Sequence, residues 1–333
     1  MKTRQIVLAS RPTGAPTLEN FRIESVELVP LTDGQVLVAN RFLSLDPYMR
    51  GRMDDAKSYA KSVAFGEVMV GGTVGEVLES KHPKFKVGDA LVGALGWAEH
   101  AVADGGGLQK VDATVAPLSA YLGTLGMPGV TAWVGLLDLA QPKRGETVVV
   151  SAASGAVGSV VGQLANVHGA RAVGIAGGAL KCAYVRDELG FDACVDYKAP
   201  DFYEQLKAAC PNGIDVYFDN VGGVVLDSVL RLMNAFGRIS VCGLISQYNA
   251  TNAQDQYGIR NFRSILVNRL RVQGFIVSDR MELWPRALRE LAGWFKDGRL
   301  KYRETIADGL DAAPAAFLGL LRGENFGKQL VRL

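Results

Sequence analysis

Along the first third of the chain, apolar residues come in short runs: Val36-Leu37-Val38-Ala39, Val68-Met69-Val70, Thr73-Val74-Gly75-Glu76-Val77-Leu78 and Ala90-Leu91-Val92. Asp33-Gly34, Gly71-Gly72 and Gly88-Asp89 punctuate them. Short runs between turn residues predict a compact antiparallel β domain. The texture changes near Pro117, where Leu118 to Leu139 takes helical spacing, broken at Met127-Pro128-Gly129. From Thr147 onward, strand-like and helix-like patterns alternate. Thr147-Val148-Val149-Val150-Ser151 leads through a glycine turn into Val157 to His168, and Arg171 to Ala176 leads into Leu180 to Leu189. Cys194 to Tyr197, Ile214 to Asp219 and Arg238 to Gly243 continue the series. Such alternation predicts a parallel sheet covered on both faces. Leu270 to Val277 reads as its last strand and Leu283 to Phe295 as an amphipathic helix, with short strands after it.

Composition narrows the classes. A chain of 333 residues that is 48% hydrophobic can bury more than one core, and two domains are expected. With 36 Lys+Arg against 34 Asp+Glu there is no electrostatic case for nucleic acid or an anionic membrane, so a small-molecule partner is expected. No apolar run approaches the roughly 18 to 20 residues of a membrane span, and Met1 to Pro12 lacks the apolar core of a signal peptide. A cytoplasmic protein is therefore expected. Cys182, Cys194, Cys210 and Cys242 form no CxxC pair or close Cys/His cluster, so no metal site is expected and the thiols read as buried or inert.

The segment Ser151-Ala152-Ala153-Ser154-Gly155-Ala156-Val157-Gly158 stands where a dinucleotide fingerprint must stand, between a strand and a helix. Ala153 takes the first glycine position, Gly155 would let backbone approach a pyrophosphate, and Gly158 would let helix pack on strand. Small residues also occur at ordinary strand-to-helix turns, and it is the placement within the strand and helix series that gives the pattern weight. At the end of the next strand, where an NAD enzyme places a carboxylate, the chain has Gly177-Gly178 and then Lys181. Lys181 and the Tyr197 hydroxyl would meet a 2′-phosphate, which favours NADPH. The same lysine would also suit a solvated helix face.

Six ordered motifs spread over nearly the whole chain carry a resemblance. They are Leu45-Asp46-Pro47-Tyr48-Met49-Arg50-Gly51, Gly126-Met127-Pro128-Gly129-Val130-Thr131-Ala132, Ala152 to Gly158, Asp219-Asn220-Val221-Gly222-Gly223, Cys242-Gly243-Leu244-Ile245-Ser246-Gln247-Tyr248-Asn249 and Gly323-Glu324-Asn325-Phe326-Gly327-Lys328. In these the chain resembles the medium-chain dehydrogenase/reductase superfamily, and within it the zinc-independent alkenal and prostaglandin reductase branch. The resemblance implies an α/β protein with a GroES-like β-rich catalytic domain at 1–124 and 299–333 and a doubly wound, parallel-sheet Rossmann domain at 125–298. Zinc-bearing relatives place a cysteine ligand where this chain reads Ser44-Leu45-Asp46-Pro47-Tyr48, and their four-cysteine loop has no counterpart here.

The same likeness implies cofactor contacts from Met127, Thr131, Gly155, Val157, Gly158, Lys181, Tyr197, Asn220, Tyr248 and Asn325, with Phe275 and Val277 flanking the nicotinamide. Tyr248 and Tyr48 are the expected catalytic hydroxyls, donating to a carbonyl oxygen or returning a proton in place of a metal. The activity implied is NADPH-dependent reduction of the α,β double bond of an enone or enal, by a homodimer. Two other readings fit the same residues: a zinc-free NADPH:quinone oxidoreductase, and a non-catalytic NADP-sensing protein. Arg50 and Arg52 suit either a carboxylated substrate or a solvated surface, and Trp97 and Trp133 are expected to pack.

Overall fold

The computed structural model describes residues 1–333. It divides into two compact units, Gly123–Arg303 and the joined segments Met1–Leu122 and Glu304–Leu333.

In the Gly123–Arg303 unit the chain enters through helix α1 (Met127–Trp133) and then alternates. Strand β1 (Thr147–Ser151) leads to α2 (Gly158–Val167), β2 (Arg171–Ala176) to α3 (Ala179–Ala183), and β3 (Ala193–Asp196) to α4 (Phe202–Ala209). Strand β4 (Ile214–Asp219) leads to α5 (Gly223–Leu230), and β5 (Met233–Val241) through α6 (Arg263–Val267) to β6 (Arg271–Gly274) and α7 (Trp284–Lys296). All strands pair in parallel, in the order β3-β2-β1-β4-β5-β6. This is the doubly wound dinucleotide-binding order, and it reverses between β1 and β4. Every residue of β1 is buried, as expected of a central strand with helices on both faces. Burying each valine of Val148-Val149-Val150 is worth about 1.5–3 kcal/mol, which fixes this strand as the middle of the sheet.

The unit formed by Met1–Leu122 and Glu304–Leu333 is β-rich. A seven-stranded sheet runs Glu304–Asp308, Lys328–Arg332, Val36–Ser44, Thr73–Ser80, Ala90–Gly93 and Gln109–Lys110, with His100–Ala103 also paired to Val36–Ser44. Beside it lies the antiparallel pair Lys2–Leu8 and Phe21–Glu27. Trp97 is fully buried, stacked on Phe21 at 5.5 Å and edge-on to Phe317 at 5.6 Å, so it packs as expected.

Two local expectations need correction. The segment after Leu300 does not consist of short strands alone, because Ala313–Leu321 is a helix and its flanking strands Glu304–Asp308 and Lys328–Arg332 pair in parallel. A parallel pair needs a crossover, and the helix supplies it. Its sequence, Ala-Pro-Ala-Ala-Phe-Leu-Gly-Leu-Leu, is apolar on every side, so no polar stripe reveals the 3.6-residue period. The Met127-Pro128-Gly129 segment does not break a helix but begins α1, where a proline costs no intrahelical hydrogen bond.

Candidate active site

The carboxyl ends of β1 and β4 meet at the point where strand order reverses. Ser151, last in β1, donates from Oγ to Asp219 Oδ1 at 3.2 Å and accepts the Asn220 N–H at 2.9 Å. Asn220 returns its Nδ2 to the Ser151 carbonyl at 2.8 Å. Asp219 Oδ1 also receives the Tyr217 hydroxyl at 2.8 Å and the N–H groups of Val221 and Gly222, both at 2.9 Å. The Asp219 carbonyl accepts from Cys242 at 2.8 Å and Gly243 at 3.1 Å, so one residue ties three loops. Burial pushes the Asp219 carboxyl up, against the backbone N–H groups that hold it down, and its Oδ2 is buried with no partner.

After β1 the chain turns through Ala152, which sits at φ 51°, a left-handed conformation unusual for a residue with a Cβ. Gly158 begins α2 so close to this turn that a Cβ there would lie 2.3 Å from the Ala152 carbonyl oxygen. Only glycine fits. Val157 precedes the helix, and Gly155, half-buried, could take a Cβ only at 3.1 Å from the same oxygen. At this entry the Ser159 N–H is taken by the Gly155 carbonyl at 3.0 Å and the Val160 N–H by the Val157 carbonyl at 3.1 Å, so the loop residues before them are where a phosphate would meet backbone. On α1, Thr131 Oγ1 donates to the Met127 carbonyl at 2.7 Å and lies 3.7 Å from the Met127 sulfur.

At the ends of β2 and β3 the chemistry is cationic. Asp196 Oδ1 accepts the N–H groups of Gly178 at 2.9 Å and Lys198 at 3.0 Å, which fastens the two loops together. A Cβ on Gly177 would lie 2.9 Å from the Tyr197 ring and 3.3 Å from Lys198 Cε. Burial, and then the charge of Lys198, draw the Lys181 ammonium below its usual pKa. The Lys198 charge therefore acts against the Lys181 ammonium beside a half-exposed tyrosine.

The loop after β5 folds back on itself. The Tyr248 hydroxyl accepts the Leu244 N–H at 3.4 Å and stands 3.1 Å from where a Gly243 Cβ would be. Phe275 does not turn its ring outward: it packs edge-on to Phe218 at 6.1 Å, and a Cβ on Gly135 would strike both rings. The Val277 carbonyl accepts from Trp284 Nε1 at 3.3 Å. Met127, Thr131, Gly155, Val157, Gly158, Lys181, Tyr197, Asn220, Tyr248, Phe275 and Val277 all belong to this unit.

Tyr48 and Asn325 belong to the β-rich unit. Lys328, buried, donates to the Leu45 carbonyl at 2.7 Å and to Asp46 Oδ1 at 3.0 Å, anchoring the Tyr48 loop to the strand that follows Asn325. Burial, reinforced by the Asp46 carboxylate, raises the Tyr48 phenol well above its ordinary pKa. Asn325 Nδ2 donates to the Gly327 carbonyl at 2.7 Å. Arg50 is not free for a substrate: it is 2% exposed, paired with Asp54 at 2.6 Å and with the Gly14 carbonyl at 2.8 Å. The sequence reading gave no role to Lys198, Ser151 or Asp219. A second lysine directly after Tyr197, and polar residues closing two apolar strands, were the available signals.

No group of three or more His, Cys, Asp or Glu side chains is placed to hold a metal ion, and no helix is long and apolar enough to cross a membrane. A family model for the N-terminal domain of oxidoreductases matches residues 4–111, and one described as zinc-binding dehydrogenase matches 156–293. The chain is 50% identical to the NADPH-dependent curcumin reductase of Escherichia coli, over 100% of this chain and 97% of that protein. It is 43% identical to an NADP(+)-dependent 2-alkenal reductase of Nicotiana tabacum, over 99% and 97%. A crystal structure of CurA from Vibrio vulnificus in complex with NADPH superposes with a TM-score of 0.94 at 49% identity, covering 99% of this chain and 98% of that one. Together with the β-rich unit, the parallel sheet and the glycine turn, these likenesses show that the chain belongs to the zinc-independent alkenal and prostaglandin reductase branch of the medium-chain dehydrogenase/reductase superfamily.

Proposed function

We propose that this chain is an NADPH-dependent reductase of the α,β carbon–carbon double bond of enones and enals. The observation that carries the cofactor choice is the pair Lys181 and Lys198 beside Tyr197, where an NAD enzyme would carry a carboxylate. The fit continues at the other end, where Gly158 lets the start of α2 pack against the Ala152 turn and half-buried Gly155 is the position at which backbone would approach a pyrophosphate. Met127, Thr131, Gly155, Val157 and Asn220 complete the nucleotide contacts in this reading. Phe275 contributes through its backbone, because its ring is committed to Phe218, and Val277 lies two residues further on. Asn325 is the contact proposed from the β-rich unit. On this reading Gly123–Arg303 is the NADPH domain and the other unit the catalytic domain. The activities named for the curcumin and 2-alkenal reductases support the substrate class.

When bound, NADPH supplies the hydride that the β-carbon receives. The task left to the protein is the negative charge that gathers on the carbonyl oxygen. Tyr248, whose hydroxyl accepts the Leu244 N–H, is the donor proposed for that oxygen. Tyr48 keeps its proton far above neutral pH and can act only as a neutral donor, to orient the carbonyl or to return a proton to the α-carbon.

A homodimer is part of the proposal. Strand β6 ends the sheet with all four residues exposed, and Leu266, just before it, is 78% exposed, an edge that a second copy would pair and cover. Four free cysteines favour a cytoplasmic location. The test is NADPH oxidation, followed by its absorbance, with a panel of 2-alkenals, enones and quinones. Turnover of alkenals and enones, with NADH a poor substitute, is expected. Oxidation with quinones alone would replace the reading by a quinone reductase, and binding without oxidation would make the chain a nucleotide sensor.

A further inference from the structure

We propose that Asp227 is a positioning residue for the reduction: it fixes the far end of the loop that begins at Tyr248, and so sets how an enone's carbonyl meets that hydroxyl. The proposal rests on the function read above. Asp227 lies in the second turn of α5 and is 5% exposed, with Val225, Val229 and Leu230 of the same helix also buried. Packing alone would favour an apolar side chain there, because a carboxylate is costly to bury unless hydrogen bonds satisfy it. Every bond that this side chain accepts comes from one short stretch of chain. Oδ1 takes the N–H groups of Arg260 at 3.0 Å and Asn261 at 2.8 Å, and Oδ2 takes the Tyr257 hydroxyl at 2.9 Å. Asn261 Nδ2 adds a bond to the Asp227 carbonyl at 3.2 Å.

The loop stands on α5 at both ends. At the near end Ser246 Oγ donates to the Val221 carbonyl at 2.6 Å and the Ile245 N–H to the Asn220 carbonyl at 3.3 Å, just before the helix. The two ends meet over Gly223, φ 57°, where a Cβ would lie 2.9 Å from Ser246 Oγ and 4.0 Å from Tyr257 Cβ. Asp227 follows four residues later, on the same face of the helix. Between the ends, Thr251 to Gln256 is exposed and makes its hydrogen bonds within itself. Thr251 Oγ1 donates to Asp255 Oδ2 at 2.5 Å, and Asn252 Oδ1 accepts the N–H groups of Gln254 at 2.9 Å and Asp255 at 3.1 Å. A span braced on itself takes its place from its ends. Without the Asp227 carboxylate, the loop would pivot at Ser246, two residues from Tyr248.

The experiment compares wild type with Asp227→Ala, Asp227→Asn and Tyr257→Phe, measuring kcat, KM for an enone, KM for NADPH and amide hydrogen exchange over 257–261. Asp227→Ala should exchange faster there and raise KM for the enone about tenfold, the worth of one hydrogen bond to a charged group, with KM for NADPH changed by less than about threefold. Asp227→Asn keeps an oxygen for the two N–H groups and should stay within about threefold of wild type, and Tyr257→Phe, which loses one bond, should fall between the two. An enone KM unchanged in Asp227→Ala, a KM for NADPH that rises equally, or an Asp227→Asn as impaired as Asp227→Ala overturns the proposal. If Asp227→Ala does not fold, the same split read in Tyr257→Phe decides. A wild type that oxidises NADPH with no enone would instead overturn the function read above, while exchange over 257–261 still judges the anchor.

Discussion

At the switch point, the turn that would receive the pyrophosphate is held by buried hydrogen bonds among Ser151, Asp219, Tyr217 and Asn220. At the proposed 2′-phosphate end, the working groups are Lys181, Lys198 and a half-exposed Tyr197. The first region is geometry without net attraction for one nucleotide over the other, since NADPH and NADH share a pyrophosphate. The second is charge with little rigidity, since its cations sit on flexible side chains and only Asp196 fastens their backbones. On the proposed reading such a site separates the two tasks: the buried end would fix where the reacting ring lies, and the exposed end would decide which nucleotide arrives.

That division can be broken from the buried side first, where the largest effects are expected. Gly158→Ala puts a Cβ 2.3 Å from a backbone oxygen, which cannot swing aside as a side chain could. Overpacking of this kind costs about 1–3 kcal/mol of stability, and kcat/KM should fall at least a hundredfold with NADPH and NADH alike, as read by steady-state kinetics and a melting curve. A selective loss with NADPH would mean that the buried turn takes part in nucleotide choice. Tyr248→Phe removes the proposed donor while leaving the loop's apolar packing. Turnover of an enone should drop by about 10²-fold, the usual worth of one donor at a developing oxyanion, with KM for NADPH changed less than threefold. Unchanged turnover would hand that role to another group. At the exposed end, Lys181→Ala with Lys198→Ala should raise KM for NADPH by about 10- to 30-fold, the loss of two charge-assisted contacts, leave KM for NADH alone and flatten the salt dependence of NADPH binding.

The contrast between the ends also explains what could be read without coordinates. The turn between β1 and α2 was legible because small residues in the Ala152 to Gly158 run answer to the close packing of strand and helix, which leaves no room for a Cβ at Gly158. Strands β2 and β4 could be bounded to the residue, Arg171–Ala176 and Ile214–Asp219, since each is a short segment dominated by apolar, β-branched or aromatic residues between turns. The Ser151–Asp219 tie was not legible: it joins residues 68 apart, and nothing local marks a serine as the partner of a distant carboxylate. Helix Ala313–Leu321 was missed because an all-apolar segment has no face to betray its period.

The smallest effect sharpens the comparison most, because it belongs to one end alone. In the free protein the Lys181 ammonium is destabilised by burial and by Lys198, so it loses its proton below the ordinary lysine value of 10.5. The 2′-phosphate needs that proton in place. As pH rises through the lowered pKa, KM for NADPH should therefore climb by about 3- to 10-fold, within the range of one partly exposed charge pair, while KM for NADH stays flat. Lys181→Arg should abolish this alkaline limb, because a guanidinium keeps its charge throughout. Lys198→Ala should shift the limb to higher pH by removing the repulsion. If the NADPH and NADH profiles climb together in all three proteins, the titrating group serves the chemistry that both nucleotides share, and the charge-only character of the exposed end is lost.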